Sequence, residues 1–209
     1  MDDKSPLPLR ERKHRRTREA IIEAAMTLFA ERGFDGVTVT DIAQRAEVGR
    51  STFFRYFTDK QEVLFADDAE LRQLLIAACE RVAADLAPLG TCLADALAVT
   101  RAGLLALTGR IAERSHWLPV RERLIGERAE LRARTLLKER GYVEAGIDVL
   151  QRHGAAPATA LLATNLAAAC YAAAHAQTLA TGKDLPAALD EAFSHLAGLD
   201  TRRLRDRLD

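Results

Sequence analysis

The sequence predicts an all-α protein in two parts, a small three-helix amino-terminal unit and a larger helical region behind it. Three observations predict this. Apolar residues recur at helical spacing through most of the chain, as in Ile21, Ala24, Ala25, Leu28 and Phe29. No run shows the two-residue alternation that a half-buried strand requires, and no internal repeat is present. Capping residues precede the apolar runs at Thr38, Asp59 and Asp184, and glycines close them at Gly33, Gly182 and Gly198.

A chain of 209 residues with 48% hydrophobic side chains is long enough for one large or two small domains with a proper core. Its formal net charge is zero and its pI near 7.0, so any attraction to an anionic partner must come from local patches rather than a global field. One such patch is Arg10 to Arg18, with six Lys/Arg against a single Glu. Cys79, Cys92 and Cys170 have no close Cys or His neighbour and read as small buried hydrophobes in a reducing compartment. The basic start carries no signal peptide, and the Ala-rich stretch 160–174, interrupted by Thr164 and Asn165, makes a poor membrane span. A cytoplasmic protein without a membrane partner is expected.

In order, residues 1–16 contain Pro6 and Pro8 and no apolar period, which predicts a flexible basic arm. A first helix from near Thr17 carries the stripe Ile21 to Phe29 and stops at Gly33. Seven of the eleven aromatics lie between Phe29 and Phe65, as a small unit that needs large side chains to close its core would have. Asp59 and Glu62 form a capping box opening a helix at Lys60 that runs, with a kink allowed, through Leu64, Leu71 and Cys79 to Val82. Further helices span Thr91 to Leu107 and Glu127 to Arg152, with an irregular stretch from Ala112 to Gly126 broken near Trp117. Pro157 suits the first turn of a helix to Thr181, and Asp184 caps a last one ending at Gly198. The expected domains are 17–62 and 63–209, with a charged coda from Thr201.

The stretch Thr38 to Phe57 is the most tightly constrained. Thr38 and Asp41 form a capping box, Ile42, Ala43 and Ala46 share one apolar face, and Val48 plugs a turn before Gly49. Phe53 and Phe57, four apart, then point inward and leave Arg50, Ser51, Arg55 and Thr52 outward. Helix, turn and donor-bearing helix are what a major-groove reader needs.

Phe34 to Lys60, with Thr38, Ile42-Ala43, Ala46, Val48, Thr52, Tyr56-Phe57 and Lys60, resembles the amino-terminal DNA-binding domain of the TetR family of bacterial transcriptional regulators. The likeness covers Thr17 to about Phe65. It implies a helix-turn-helix DNA-binding domain followed by a helical ligand-binding and dimerisation domain, acting as a repressor released by a small hydrophobic or amphipathic effector. It assigns Arg50, Ser51 and Thr40 to base edges, and Thr38, Thr52, Tyr56 and Lys60 mainly to the DNA backbone, with Arg55 and Arg16 adding positive charge. The operator implied is double-stranded DNA of two-fold symmetry read by a homodimer. Three positions depart from the family. Glu47 stands for a turn glycine, which asks a non-Gly residue to be left-handed at about 1 kcal/mol; Gly49 replaces a capping serine; and Phe54 replaces a tyrosine whose hydroxyl touches phosphate.

Ala163, Ala167 and Ala174, with Leu189, Phe193 and Leu196, are the expected dimer contacts, because both last helices are more apolar than one buried stripe requires. Leu75, Cys79, Leu104, Trp117, Leu118, Tyr142 and Asn165 are the expected effector contacts, near irregular points of the middle helices. Enzyme signatures fail. His14, His116, His153, His175 and His195 have no metal-ligand spacing, Thr181 to Asp184 lacks the residues of a phosphate loop, and neither a dinucleotide fingerprint nor a nucleophile elbow occurs. No catalytic residue, metal or cofactor is expected. Two other readings stay open: a helical protein- or RNA-interaction module using the basic run, and a small helical enzyme without a recognisable motif.

Overall fold

The computed structural model describes residues 8–198; what the sequence predicts for residues 1–7 and 199–209 lies outside them. The described residues form ten α-helices and one 3-10 turn, Ser115–Trp117, with no strand beyond a lone bridge between Gly90 and Ala155. The chain divides into two compact units. The first takes residues up to Asp67 together with 117–133, and the second takes 68–116 and the chain from Arg134 on.

In the first unit, α1 (Leu9–Arg32) begins well before Thr17, so the basic run expected in a flexible arm is helical from Leu9. Arg, Lys and Glu are good helix formers, and nothing after Pro8 stops a helix already nucleated by its packed half. Ile21, Ala25 and Phe29 of α1 are fully buried. Gly33, at φ 70, ends it and donates its N–H to Phe29 O at 3.1 Å. Next come α2 (Val39–Arg45), α3 (Arg50–Tyr56) and α4 (Lys60–Leu64). The single helix expected from Lys60 to Val82 is two. Val63, Leu64 and Phe65 are buried in the first unit's core, and Arg18 donates to Ala66 O, so a side chain satisfies that carbonyl in place of a further helical turn.

The core of the first unit also takes Leu124 and Ile125 of α7 (Leu118–Glu127) and Leu131 at the start of α8 (Ala129–Arg152). The boundary expected at 62/63 therefore falls at 67/68, with a return of the chain at 117. Three short helices on α1 bury too little apolar surface alone, and α7 supplies the missing wall.

The second unit packs α5 (Asp68–Leu86), α6 (Leu93–Ala112), the rest of α8, α9 (Pro157–Thr181) and α10 (Leu185–Ala197). α5 and α6 approach so closely at Gly103 that a Cβ there would lie 2.4 Å from Cys79 Sγ. Gly146 likewise lets α8 meet Thr164, whose methyl would be 3.0 Å from an added Cβ. The connections 88–90 and 153–156 are pinned together by Leu89 N–H to His153 O (3.1 Å), Gly90 N–H to Gly154 O (3.1 Å) and Ala156 N–H to Gly90 O (2.7 Å). Cys79 and Cys170 are buried as expected, whereas Cys92 is exposed, because it is the N-cap residue of α6. α9 is long and apolar enough to cross a membrane by length and composition, yet Ala160, Ala163, Ala167 and Ala174 are buried within the unit.

Candidate nucleic-acid interface

α2 starts at a complete capping box. Asp41 N–H donates to Thr38 Oγ1 at 3.2 Å, and Asp41 Oδ2 accepts from the Thr38 N–H at 2.8 Å. The Thr38 hydroxyl and amide hold the Asp41 carboxyl below its usual range, since both favour its charged form. Ile42 and Ala43 are buried beneath it. In the turn, Glu47 adopts φ 55 as its place in the motif requires, and Val48 N–H closes onto Ala43 O at 2.9 Å.

α3 divides its residues as the spacing predicts. Phe53 and Phe57 are buried, while Arg50, Ser51 and Arg55 are exposed and Thr52 half-buried. Gly49 caps α3 through backbone alone. Phe54 is 49% exposed and meets Phe53 edge-on at 5.5 Å, so the position where the resemblance expects a tyrosine hydroxyl presents an apolar ring. Tyr56 is half-buried between His14, whose ring lies 4.5 Å away, and the Arg55 guanidinium at 5.5 Å. The His14 contact places α1's basic first turns beside α3. Arg10, Arg12, Lys13, Arg15 and Arg16 are all exposed there, as are Thr38 and Thr40 at the start of α2.

Lys60 is placed differently from the backbone contact expected of it. Its Nζ donates to Phe34 O and to Val37 O, both at 2.7 Å, and lies 4.4 Å from the centre of the Phe34 ring. Burial lowers its pKa; Asp35 opposes that shift and Arg128 adds to it. Two of its three N–H bonds are thus turned into the protein, holding the turn between α1 and α2. Arg128, at the α7–α8 joint, reaches the same turn and binds Asp35 at 2.5 Å. Sequence reasoning missed Arg128, and also Arg18, whose guanidinium holds Ala66 O and lies over Phe57. Both act across long sequence separations that no local period encodes.

Of the expected effector residues, Leu75, Cys79, Leu104 and Tyr142 share one apolar cluster of the second unit. Trp117 and Leu118 belong to the first unit, where Trp117 Nε1 donates to Glu23 at 3.1 Å. Leu75 and Cys79 are buried against Gly103, the point at which α5 and α6 approach closely. Asn165 is exposed on α9 and bonds Leu161 O, an ordinary turn contact within its own helix. Leu104 and Tyr142 do share one half-buried apolar region with Leu71, Leu97, Ile111 and Tyr171, and Tyr142 Oη donates to Asp68.

Of the expected dimer residues, Ala163, Ala167, Leu189 and Phe193 are buried in the chain's own core, whereas Ala174 and the half-buried Leu196 also line a groove between α9 and α10. Another stripe of α9 is open instead. Leu161 is 55% and Leu162 50% exposed, and Leu166, Ala169 and Ala173 continue from Leu162 at helical spacing along an apolar groove of about 520 Å³ against Ala192 and Leu196 of α10. Among the described residues no group of three or more His, Cys, Asp or Glu could hold a metal ion.

Residues 21–66 match the family described as bacterial regulatory proteins, tetR family. The chain is 42% identical to the transcriptional regulator TcmR of Streptomyces glaucescens over 72 residues, 34% of this chain and 32% of that protein. It is 33% identical to IcaR of Staphylococcus epidermidis, a negative regulator of the biofilm operon icaADBC, over 46 residues, 22% of this chain and 25% of that one. The matched segments thus span about a third or less of these relatives' length. Among solved structures, a SmeT–triclosan complex is similar with TM-score 0.56 at 21% identity, over 86% of this chain and 90% of that one. The fatty acid degradation regulator FadR of Bacillus halodurans follows with TM-score 0.54 at 19% identity, over 87% and 95%. At these identities the likeness establishes a shared fold across both units.

Proposed function

We propose that the chain, whose residues 21–66 match the tetR family of bacterial regulatory proteins, is a member of that family and a sequence-specific DNA-binding repressor, not an enzyme, working in the cytoplasm. The observation that carries this is the division of α3, which buries Phe53 and Phe57 and turns Arg50, Ser51 and Arg55 to solvent. In this reading Arg50, Ser51 and Thr40 meet base edges. Thr38, Thr52, Tyr56, Arg55 and Arg16 hold the phosphate backbone, with the basic first turns of α1 beside them.

Two-fold operators need recognition helices about 34–36 Å apart, which one small unit cannot provide, so the protein acts as a homodimer. The Leu162, Leu166, Ala169 and Ala173 stripe and the groove beside it are the surface a second copy fills, since a two-fold pair presents the same apolar stripe to itself. Release follows from a hydrophobic or amphipathic molecule bound in the second unit near Leu104 and Tyr142, as the triclosan complex of a similarly folded protein suggests. Such a molecule acts only if it binds the DNA-incompetent state more tightly.

The test is a mobility shift on the DNA upstream of the protein's own gene, against competitor DNA. Specific retardation is expected. Arg50→Ala should lose about 1–3 kcal/mol of discrimination while keeping binding to random duplex, because a bidentate Arg reads guanine and a phosphate contact does not. Equal loss on both DNAs would remove Arg50 from the base-reading role, and no retardation of any DNA would overturn the function.

A further inference from the structure

Arg128 stands where α7 ends and α8 begins, in extended backbone with φ −132 and ψ 122. Its side chain leaves both helices and goes to residues 34 and 35. Nη2 donates to Asp35 Oδ2 at 2.5 Å, and the guanidinium carbon lies 5.1 Å from the centre of the Phe34 ring. Its Nε is buried without a hydrogen-bond partner, so the remaining contacts of the group must outweigh that loss. The same ring carries Lys60 Nζ, which also grips Phe34 O and Val37 O. Two cations, one from α4 and one from the α7–α8 joint, therefore converge on the turn at 33–37.

That turn leads without a spare residue into Thr38, the N-cap of α2. What sets the turn sets the direction of α2, and α2 in turn seats α3 through the shared core of Ile42, Ala43 and Phe53. α8 is one continuous helix from Ala129, and it carries the chain out of the first unit after Ala133. The residue that starts α8 is thus also the one that grips the turn.

Resting on the DNA-binding reading above, we propose that Arg128 is a positioning residue for operator recognition: it touches no DNA, but locks the 33–37 turn in the setting that α2 and α3 need. Removing the lock lowers specific affinity by disorder at the start of α2, not by loss of positive charge. Charge and position make opposite predictions at Asp35. Neutralising an acid in a DNA-binding unit tightens binding by electrostatics alone, whereas releasing Arg128 weakens it.

The experiment measures fluorescence anisotropy of the full-length protein on the upstream DNA fragment that it retards specifically and on a random duplex of equal length, over a range of salt. Arg128→Ala is expected to weaken specific binding about tenfold, with random-duplex affinity and the salt slope unchanged. Arg128→Lys, which keeps a cation over Phe34, should recover most of the loss. Asp35→Asn should weaken specific binding about threefold, as suits a partly solvated pair, even though it removes a negative charge. Amide hydrogen exchange should speed up at residues 37–41 in Arg128→Ala while the middle of α1 stays protected. Wild-type affinity in Arg128→Ala, tighter binding in Asp35→Asn, or equal loss on both DNAs with a shallower salt slope would overturn the proposal. Should Arg128→Ala fail to fold, the exposed Asp35→Asn decides. A wild-type protein that does not discriminate between DNAs would instead refute the DNA-binding reading, and the exchange readout, which needs no DNA, would still judge the lock.

Discussion

Glu47 is, among the described residues, the one non-glycine position with positive φ, at 55. A left-handed backbone costs an L-residue about 1–2 kcal/mol. Glycine avoids that cost but gives up about 0.5–1 kcal/mol more chain entropy on folding. The difference predicts that Glu47→Gly stabilises the turn by about 0.5–1 kcal/mol relative to Glu47→Ala. Alanine is the proper reference, because both variants lose the same carboxylate and differ only in the Cβ. Glu47→Val should be worse than alanine, since a β-branched side chain is least tolerated at positive φ. Exchange of the Val48 amide, which is bonded to Ala43 O across the turn, reads this local free energy directly. Both Ala and Gly variants should bind DNA more tightly than wild type at low salt, as a negative charge beside α3 is gone. The excess of Gly over Ala then isolates the backbone. Equal exchange in the Ala and Gly variants, or a valine variant as protected as alanine, would refute the strain argument.

Lys60→Met, which keeps the side-chain stem but not the donors, should destabilise the first unit by about 2 kcal/mol through loss of two charge-assisted bonds to backbone carbonyls, measured by urea unfolding, and leave the salt slope of DNA binding unchanged. A slope lowered by about one with stability intact would restore Lys60 as a phosphate contact. Leu162→Asp should give a folded monomer in sedimentation, because the charge enters the surface proposed for a second copy. Phe193→Asp should instead lose helical signal, since it buries an unpaired charge in the second unit's own core. A dimer that survives Leu162→Asp places the interface elsewhere.

How far the sequence could be read follows the range of the interactions involved. The Thr38–Asp41 box, the division of α3 and the left-handed turn at Glu47 are each decided within a few residues, and each is where the spacing puts it. The helix start at Leu9 is not legible in composition, which says only that a charged run need not pack, not that it cannot continue a helix beside it. α9 is ambiguous in sequence for another reason. Its Ala163–Ala167–Ala174 stripe and its Leu162–Leu166–Ala169 stripe are both apolar at helical spacing, so periodicity finds two faces without saying which one the chain covers itself. Alanines go inside, where α6 and α10 must come close, and the bulkier leucines at 161 and 162 stay outside.

The same distinction explains Lys60. A lysine four residues after Tyr56 can reach outward to phosphate or back to the turn before α2, and local spacing allows both. The choice falls inward because Phe34 offers a ring face and the 34 and 37 carbonyls end unpaired where α1 has stopped and α2 has not begun. Those carbonyls need donors, and a second cation, Arg128, arrives from 93 residues away to hold Asp35 beside them. A helix-turn-helix can be recognised from its own residues, whereas its setting depends on side chains from α4 and the α7–α8 joint. Affinity for an operator should therefore respond to substitutions at 35 and 128, which lie off the face of α3, as well as to those on that face itself.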